Sequence, residues 1–231
     1  MYVIMFRIIS IIGFLVVLGG ICGHCLASAI AKGYRWRPIS ILKTLVHIFT
    51  LLFLEQKLNF AGILRKLIYL LALLCFVILV ITGFYPLLVK DEYISGYLLM
   101  LHATFAPVFA ACLAVLAVFW ADNCRLDKNY WPWLQRVLGR EVVNKAAAEK
   151  YELLQKICFW LIVILALPVI LSIVLSMFPL LGTKGQEFLL NTHRYSALLL
   201  ALVAIVYIYL LIRTQMEKQE LISSIRILKL I

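Results

Sequence analysis

Long runs without a charged residue dominate the chain. Between Arg7 and Lys32 lie 24 residues free of Lys, Arg, Asp and Glu, between Lys66 and Lys90 there are 23, between Glu92 and Asp122 there are 29, and between Lys156 and Lys184 there are 27. The last run, from Arg194 to Arg213, has 18, and Phe188 to Asn191 extend it. A helix needs roughly 20 apolar residues to cross a bilayer. The runs are apolar throughout and do not alternate, so they predict helices, not barrel strands. The predicted spans are about 8–31, 67–89, 94–120, 157–181 and 188–212. The expected fold is an all-α integral membrane bundle of about five transmembrane helices, one domain over residues 1–231.

Two segments need separate treatment. Thr44 to Leu54 offers 11 uncharged residues between Lys43 and Glu55, too few to cross. It is expected to form an interfacial or short helix introduced by Arg35, Trp36, Arg37 and Pro38, with a sixth, tilted span over 39–55 as the alternative. The N-terminal run exceeds the apolar length of a signal peptide and contains Arg7, so a retained helix is expected.

Composition sharpens this picture. The chain is 65% hydrophobic and 14% charged, whereas soluble domains are about half apolar and a quarter charged. A disordered chain is excluded, and a soluble enzyme does not fit. The net charge of +11 would point to nucleic acid on a soluble protein, but here its distribution carries the meaning. Segments 32–66, 122–156 and 213–231 hold 18 Lys and Arg; the opposite side has Arg7, Lys90, Lys184 and Arg194. Positive residues collect in the cytoplasm. The N-terminus is therefore expected outside and the C-terminus inside, with lipid and no nucleic acid as surroundings. Segment 122–156 becomes a cytoplasmic insertion, with Tyr130, Trp131 and Trp133 suited to the headgroup layer.

An ionisable residue within a span is a functional candidate. His102 and His193 lie in the predicted outer halves of spans three and five, which run in the same direction. Two imidazoles facing each other across a bundle can hold a heme iron from both sides. Ala103, Ala106, Ala110 and Ala111 after His102 leave room for a flat macrocycle, and Gly83 in span two is expected at the same level. Arg194 can pair with a heme propionate or simply anchor the helix at the headgroups.

The stretch SGYLLMLHATFAPVFA (95–110), with THRYSALLLALVAIVY (192–207), resembles the heme b membrane subunits of bacterial respiratory complexes, among them the formate dehydrogenase gamma subunit and the nickel-iron hydrogenase cytochrome b. The likeness covers spans two to five. It implies a helical bundle in the bacterial inner membrane that carries heme b and passes electrons between a quinone pool and a partner subunit. With the heme in the outer half, the expected partner is a multiheme cytochrome c or an iron–sulfur subunit on the periplasmic side. In two-heme relatives a second histidine often follows about four turns after the first. Here Tyr207 stands fourteen residues after His193, and span three has no second histidine. One heme held by His102 and His193 is expected, with a second on His24 and His47 as the lesser alternative.

Two further classes compete. Cys22-Gly-His24-Cys25 is a C-x-x-C pattern, which is redox-active in thioredoxin-like folds; a membrane thiol–disulfide redox protein is the minor alternative. A heme-free membrane anchor subunit is the other. Cys75, Cys112 and Cys158 are expected as small packing residues, and Cys124 as a reduced cytoplasmic thiol. Asp and Glu are missing from every predicted span, which argues against an ion transporter.

Overall fold

The structure is a computed structural model that describes residues 2–31, 60–122, 124–125, 147–178 and 181–228. The segment 39–55, with His47, lies outside the described residues, as do Trp131 and Trp133. The described elements are α1 (Tyr2–Ala31), α2 (Phe60–Tyr85), a π-helical turn (Pro86–Lys90), α3 (Gly96–Ala121), α4 (Ala147–Ser176) and α5 (Gly182–Leu228). Among the described residues five helices are long and apolar enough to cross a membrane: Ile4–Ser28, Gly62–Lys90, Gly96–Ala121, Tyr151–Ser176 and Gly182–Thr214. The chain is a multi-pass membrane protein.

The reason is the backbone. Hydrocarbon offers no water to N–H and C=O groups, so a crossing segment must satisfy them internally, as a helix does. The outer surface fits this solvent. Ile30, Val118 and Met177 are each more than 70% exposed, and no span buries more than 28% of its most apolar window inside the bundle. Water would not tolerate so continuous an apolar exterior.

The helices pack chiefly as two antiparallel pairs joined by short connections, α2 with α3 and α4 with α5. Smaller contacts join α1 to α5 and α3 to α4. Residues 86–95, with Met177, Phe178 and Leu181, thus define one end of the bundle, the short-loop face. The other end, where Ala31, Phe60, Ala121 and Ala147 lie, is the long-loop face. α5 runs well past the apolar stretch. No Gly or Pro interrupts it after Gly185, and its tail is rich in Gln, Met, Glu, Lys and Leu, which favour helix.

Arg7 belongs to the packing at the short-loop face. Its guanidinium lies 3.0 Å from the Asp91 carboxylate and donates to the Leu88 carbonyl at 3.3 Å. Asp91 takes a left-handed conformation (φ 58°) that closes the π-turn. Just inside this clamp, Phe6, Leu87 and Leu198 form an apolar cluster with Phe14, Phe84, Tyr195 and Leu202 around them. Phe6 meets Tyr195 edge-on at 5.1 Å, and Phe14 meets Phe84 likewise at 5.3 Å, the geometry that ring quadrupoles prefer.

A second cluster sits toward the opposite end: Ala72 on α2 with Cys112 and Leu116 on α3, flanked by Ile68, Tyr69 and Trp120. Small side chains at this seam let two backbones approach closely. Cys75 is fully buried beside it. Cys75→Leu is therefore expected to overpack the seam and cost about 1–3 kcal/mol. The exposed Val118→Leu should be nearly neutral; unfolding of the detergent-solubilised protein would measure both.

Candidate functional site

His102 sits in the second turn of α3 and His193 in the fourth turn of α5, both counted from the short-loop face. The fold brings their rings together, with centroids 6.4 Å apart and planes inclined at 76°. Each is only partly buried.

Hydrogen bonds fix both rings. His193 Nδ1 lies 3.0 Å from the Val169 carbonyl on α4. A carbonyl oxygen only accepts, so Nδ1 carries the proton and donates it. Val169 also accepts from the Ser172 hydroxyl. His102 Nδ1 lies 2.9 Å from Thr82 Oγ1 on α2. The Thr82 hydroxyl donates back to the Ile78 carbonyl at 2.7 Å, which leaves its oxygen to accept the His102 Nδ1 proton. The network assigns the same tautomer to both residues. Each Nε2 then holds a lone pair. This is the state in which imidazole binds a metal, with the other nitrogen donating to a second partner that orients the ring.

The spacing fits one metal between two rings. A metal–imidazole bond of about 2 Å, plus about 1.1 Å from nitrogen to ring centre, puts two trans imidazole centroids roughly 6 Å apart. Among the described residues no group of three or more His, Cys, Asp and Glu could hold a metal ion. The pair would supply two imidazole ligands, as many as an iron already held by a macrocycle takes.

Gly83 lies against His102. A Cβ added there would come 3.3 Å from His102 Cε1, so glycine leaves the ring the room it occupies. Arg194 makes a different contact. Its guanidinium stacks over the Tyr93 ring at 4.9 Å, in the segment that joins α2 to α3. Thr82 and Val169 were not singled out in the sequence. The visible signal for Thr82 was a polar side chain in an apolar run, directly before Gly83.

His24 lies elsewhere. It sits near the far end of α1, hydrogen-bonds the Tyr209 hydroxyl through Nδ1, and meets Tyr151 and Tyr209 edge-on. Its expected companion, His47, is outside the described residues. Cys25 also contacts the Tyr209 hydroxyl, at 3.8 Å, while Cys22 is exposed and both thiols are free. Cys124, just beyond α3, is buried, which raises its thiol pKa although Lys156 acts in the opposite sense.

A family model for prokaryotic cytochrome b561 matches residues 64–226 of the 231. The chain belongs to the prokaryotic cytochrome b561 family. No curated protein and no solved structure matches it. This cytochrome is thus a b-type membrane electron-transfer protein, and its family implies heme b. The matched stretch begins in α2 and includes Thr82, Gly83, His102, Val169, His193 and Arg194. It leaves out α1 with His24, and it leaves out His47.

Substitutions at two positions probe the support around His102 in the cytochrome. Gly83→Leu is expected to push the ring aside and abolish most heme absorbance, whereas Gly83→Ala should leave most of it. Thr82→Val removes the acceptor for the Nδ1 proton; loss of such a partner typically weakens metal binding 10- to 100-fold. Retained heme per chain, read from the reduced absorption spectrum, checks both.

Proposed function

We propose that His102 and His193 hold the iron of one heme b from opposite sides, and that this chain relays electrons between the membrane quinone pool and a partner redox subunit of a respiratory complex. The observation that carries this is the pair of imidazoles 6.4 Å apart, each with Nδ1 donating and Nε2 free. When bound, the heme supplies a reversible one-electron couple. The protein's part is to hold both rings, tune the ligands through Thr82 and Val169, and keep water out with the surrounding apolar side chains.

Arg194 is the residue proposed to pair with a propionate. It follows His193 directly and stays near the short-loop face on the Tyr93 ring. An Arg–carboxylate bond is strong where water is scarce.

The 18-to-4 bias of Lys and Arg toward the long-loop face supports an orientation with that face in the cytoplasm. The N-terminus is then outside, the C-terminus inside, and the histidine pair nearer the periplasm of a bacterial inner membrane. A partner docking on the short-loop face would have the shorter path to the heme. A multiheme cytochrome c or an iron–sulfur subunit has the right chemistry.

The deciding measurement is the absorption spectrum and iron content of the purified protein. One heme per chain with a b-type reduced α-band is expected. His102→Ala and His193→Ala should each remove it or leave an altered, loosely held heme, and the double change should remove it wholly. A colourless wild-type protein would overturn the proposal and leave a membrane anchor. Two hemes per chain would bring His24 and His47 back as ligands.

A further inference from the structure

A cation and an apolar cavity meet at the long-loop face. Between α2, α3, α4 and α5 is a partly open cavity of about 110 Å³, with walls that are almost wholly apolar. Tyr69, Leu73, Phe76, Leu116, Trp120 and Ala204 are among the residues that line it. Arg65 stands one turn before Tyr69 on α2. Residues four apart share a helix face, so Arg65 continues the line of Tyr69 and Leu73 and ends it about 6 Å nearer the long-loop face. Its guanidinium lies over the rings of Phe119 and Trp120, 5.5 and 5.9 Å from their centroids. Trp120 thus borders both the cation and the cavity.

The cation is incompletely compensated. Its Nε is buried and has no hydrogen-bond partner, and among the described residues the guanidinium forms no ion pair. A charge withdrawn from water without a partner is costly. The two rings hold the guanidinium by its face, which leaves its terminal N–H groups for an anion. The Tyr69 hydroxyl also has no hydrogen-bond partner among the described residues. α2 begins at the long-loop face, and helical side chains lean toward the N-terminus, which carries this hydroxyl toward Arg65. Read inward from that face, the order is a cation, a phenol donor and an apolar space. A phospholipid has the complementary order: a phosphodiester anion, ester carbonyls and alkyl chains. An apolar cavity of about 150 Å³ takes up benzene, so this one, slightly smaller and partly open, takes a segment of a single alkyl chain.

We propose that this end of the bundle binds one anionic phospholipid, with its phosphodiester on Arg65, an ester carbonyl accepting from the Tyr69 hydroxyl, and one acyl chain in the cavity. The two helix pairs, α2 with α3 and α4 with α5, have little direct contact with each other, and the acyl chain fills the gap between them. The Lys and Arg that collect toward the long-loop face draw anionic headgroups to it, and the cavity beside Arg65 gives one of them a fixed place. The lipid site shares no residue with the histidine pair and does not depend on a heme.

The test uses the full chain, delipidated in detergent, and counts bound phosphatidylglycerol and phosphatidylcholine of identical acyl chains by native mass spectrometry. One phosphatidylglycerol per chain is expected to bind in preference to phosphatidylcholine. Arg65→Gln should weaken that binding roughly fivefold, the contribution of one cation at a lipid surface. Arg213→Gln should leave it unchanged, since Arg213 is held at the same face by Ser28 and Tyr151. Phosphatidylglycerol with a diazirine in its acyl chain is expected to label 69–76 and 113–120. Glycerol phosphate, which has the anion without the chains, should not displace it. Equal binding of the two lipids would mark an unselective alkyl groove and overturn the proposal. An equal loss in Arg213→Gln would mark general attraction by the basic face and overturn it as well. Full binding by Arg65→Gln, displacement by glycerol phosphate, or labelling confined to other segments would each do the same. The labelling is read on the unaltered chain, so it decides even where Arg65→Gln fails to fold.

Discussion

The absence of water in the hydrocarbon layer governs nearly everything in this structure. Each backbone group must find a partner within the protein, which forces the crossing segments into helices. Side-chain hydroxyls face the same shortage and turn to the carbonyls one turn back. Ser10 donates to Phe6, Thr82 to Ile78, Thr104 to Met100 and Thr192 to Phe188, each four residues away. These bonds cost the helix little, and they match the hydroxyl protons of the buried Ser10 and Thr82.

The same shortage decides the state of the two histidines. Imidazole has one proton to give when neutral, and in an apolar bundle it goes to the nearest acceptor. For His193 that acceptor is a main-chain carbonyl. For His102 it is a hydroxyl whose own proton is already committed to the helix. Both acceptors lie on helices other than the histidine's own, so each ring is held by two elements. The free nitrogens are thus a consequence of ordinary hydrogen-bond satisfaction, and the proposed heme site needs no strained or charged group to prepare it. Gly83 completes the arrangement by omission, since even a methyl group would crowd the His102 ring.

Charge is treated in the same economical way at the membrane edge. Arg7 was an apparent anomaly in an apolar run; its placement against Asp91 and the Leu88 carbonyl explains it, because both groups are offered by the end of the π-turn. A half-exposed ion pair of this kind is worth little in free energy. Its effect is positional: it ties the start of α1 to the end of α2. Arg194 is similarly steadied by Tyr93. In both cases the partner lies in the irregular segment 86–95, whose role as a fastening point no periodicity in the chain would reveal.

The run lengths and residue types determined the helical, membrane-spanning architecture, because crossing hydrocarbon is a requirement on consecutive residues and can be read from them directly. The positions of His102 and His193 in two helices of the same direction were equally legible, since depth along a helix follows from counting. What the chain itself did not contain was rotation and neighbourhood. Whether the two rings face each other depends on how α3 and α5 are turned in the bundle. That Thr82 and Val169 take the Nδ1 protons depends on α2 and α4 lying alongside. The pairing of His24 with Tyr209, 185 residues apart, was invisible for the same reason. Each of these is a contact between helices distant in sequence, set by how side chains interlock, and only the tertiary structure decides it.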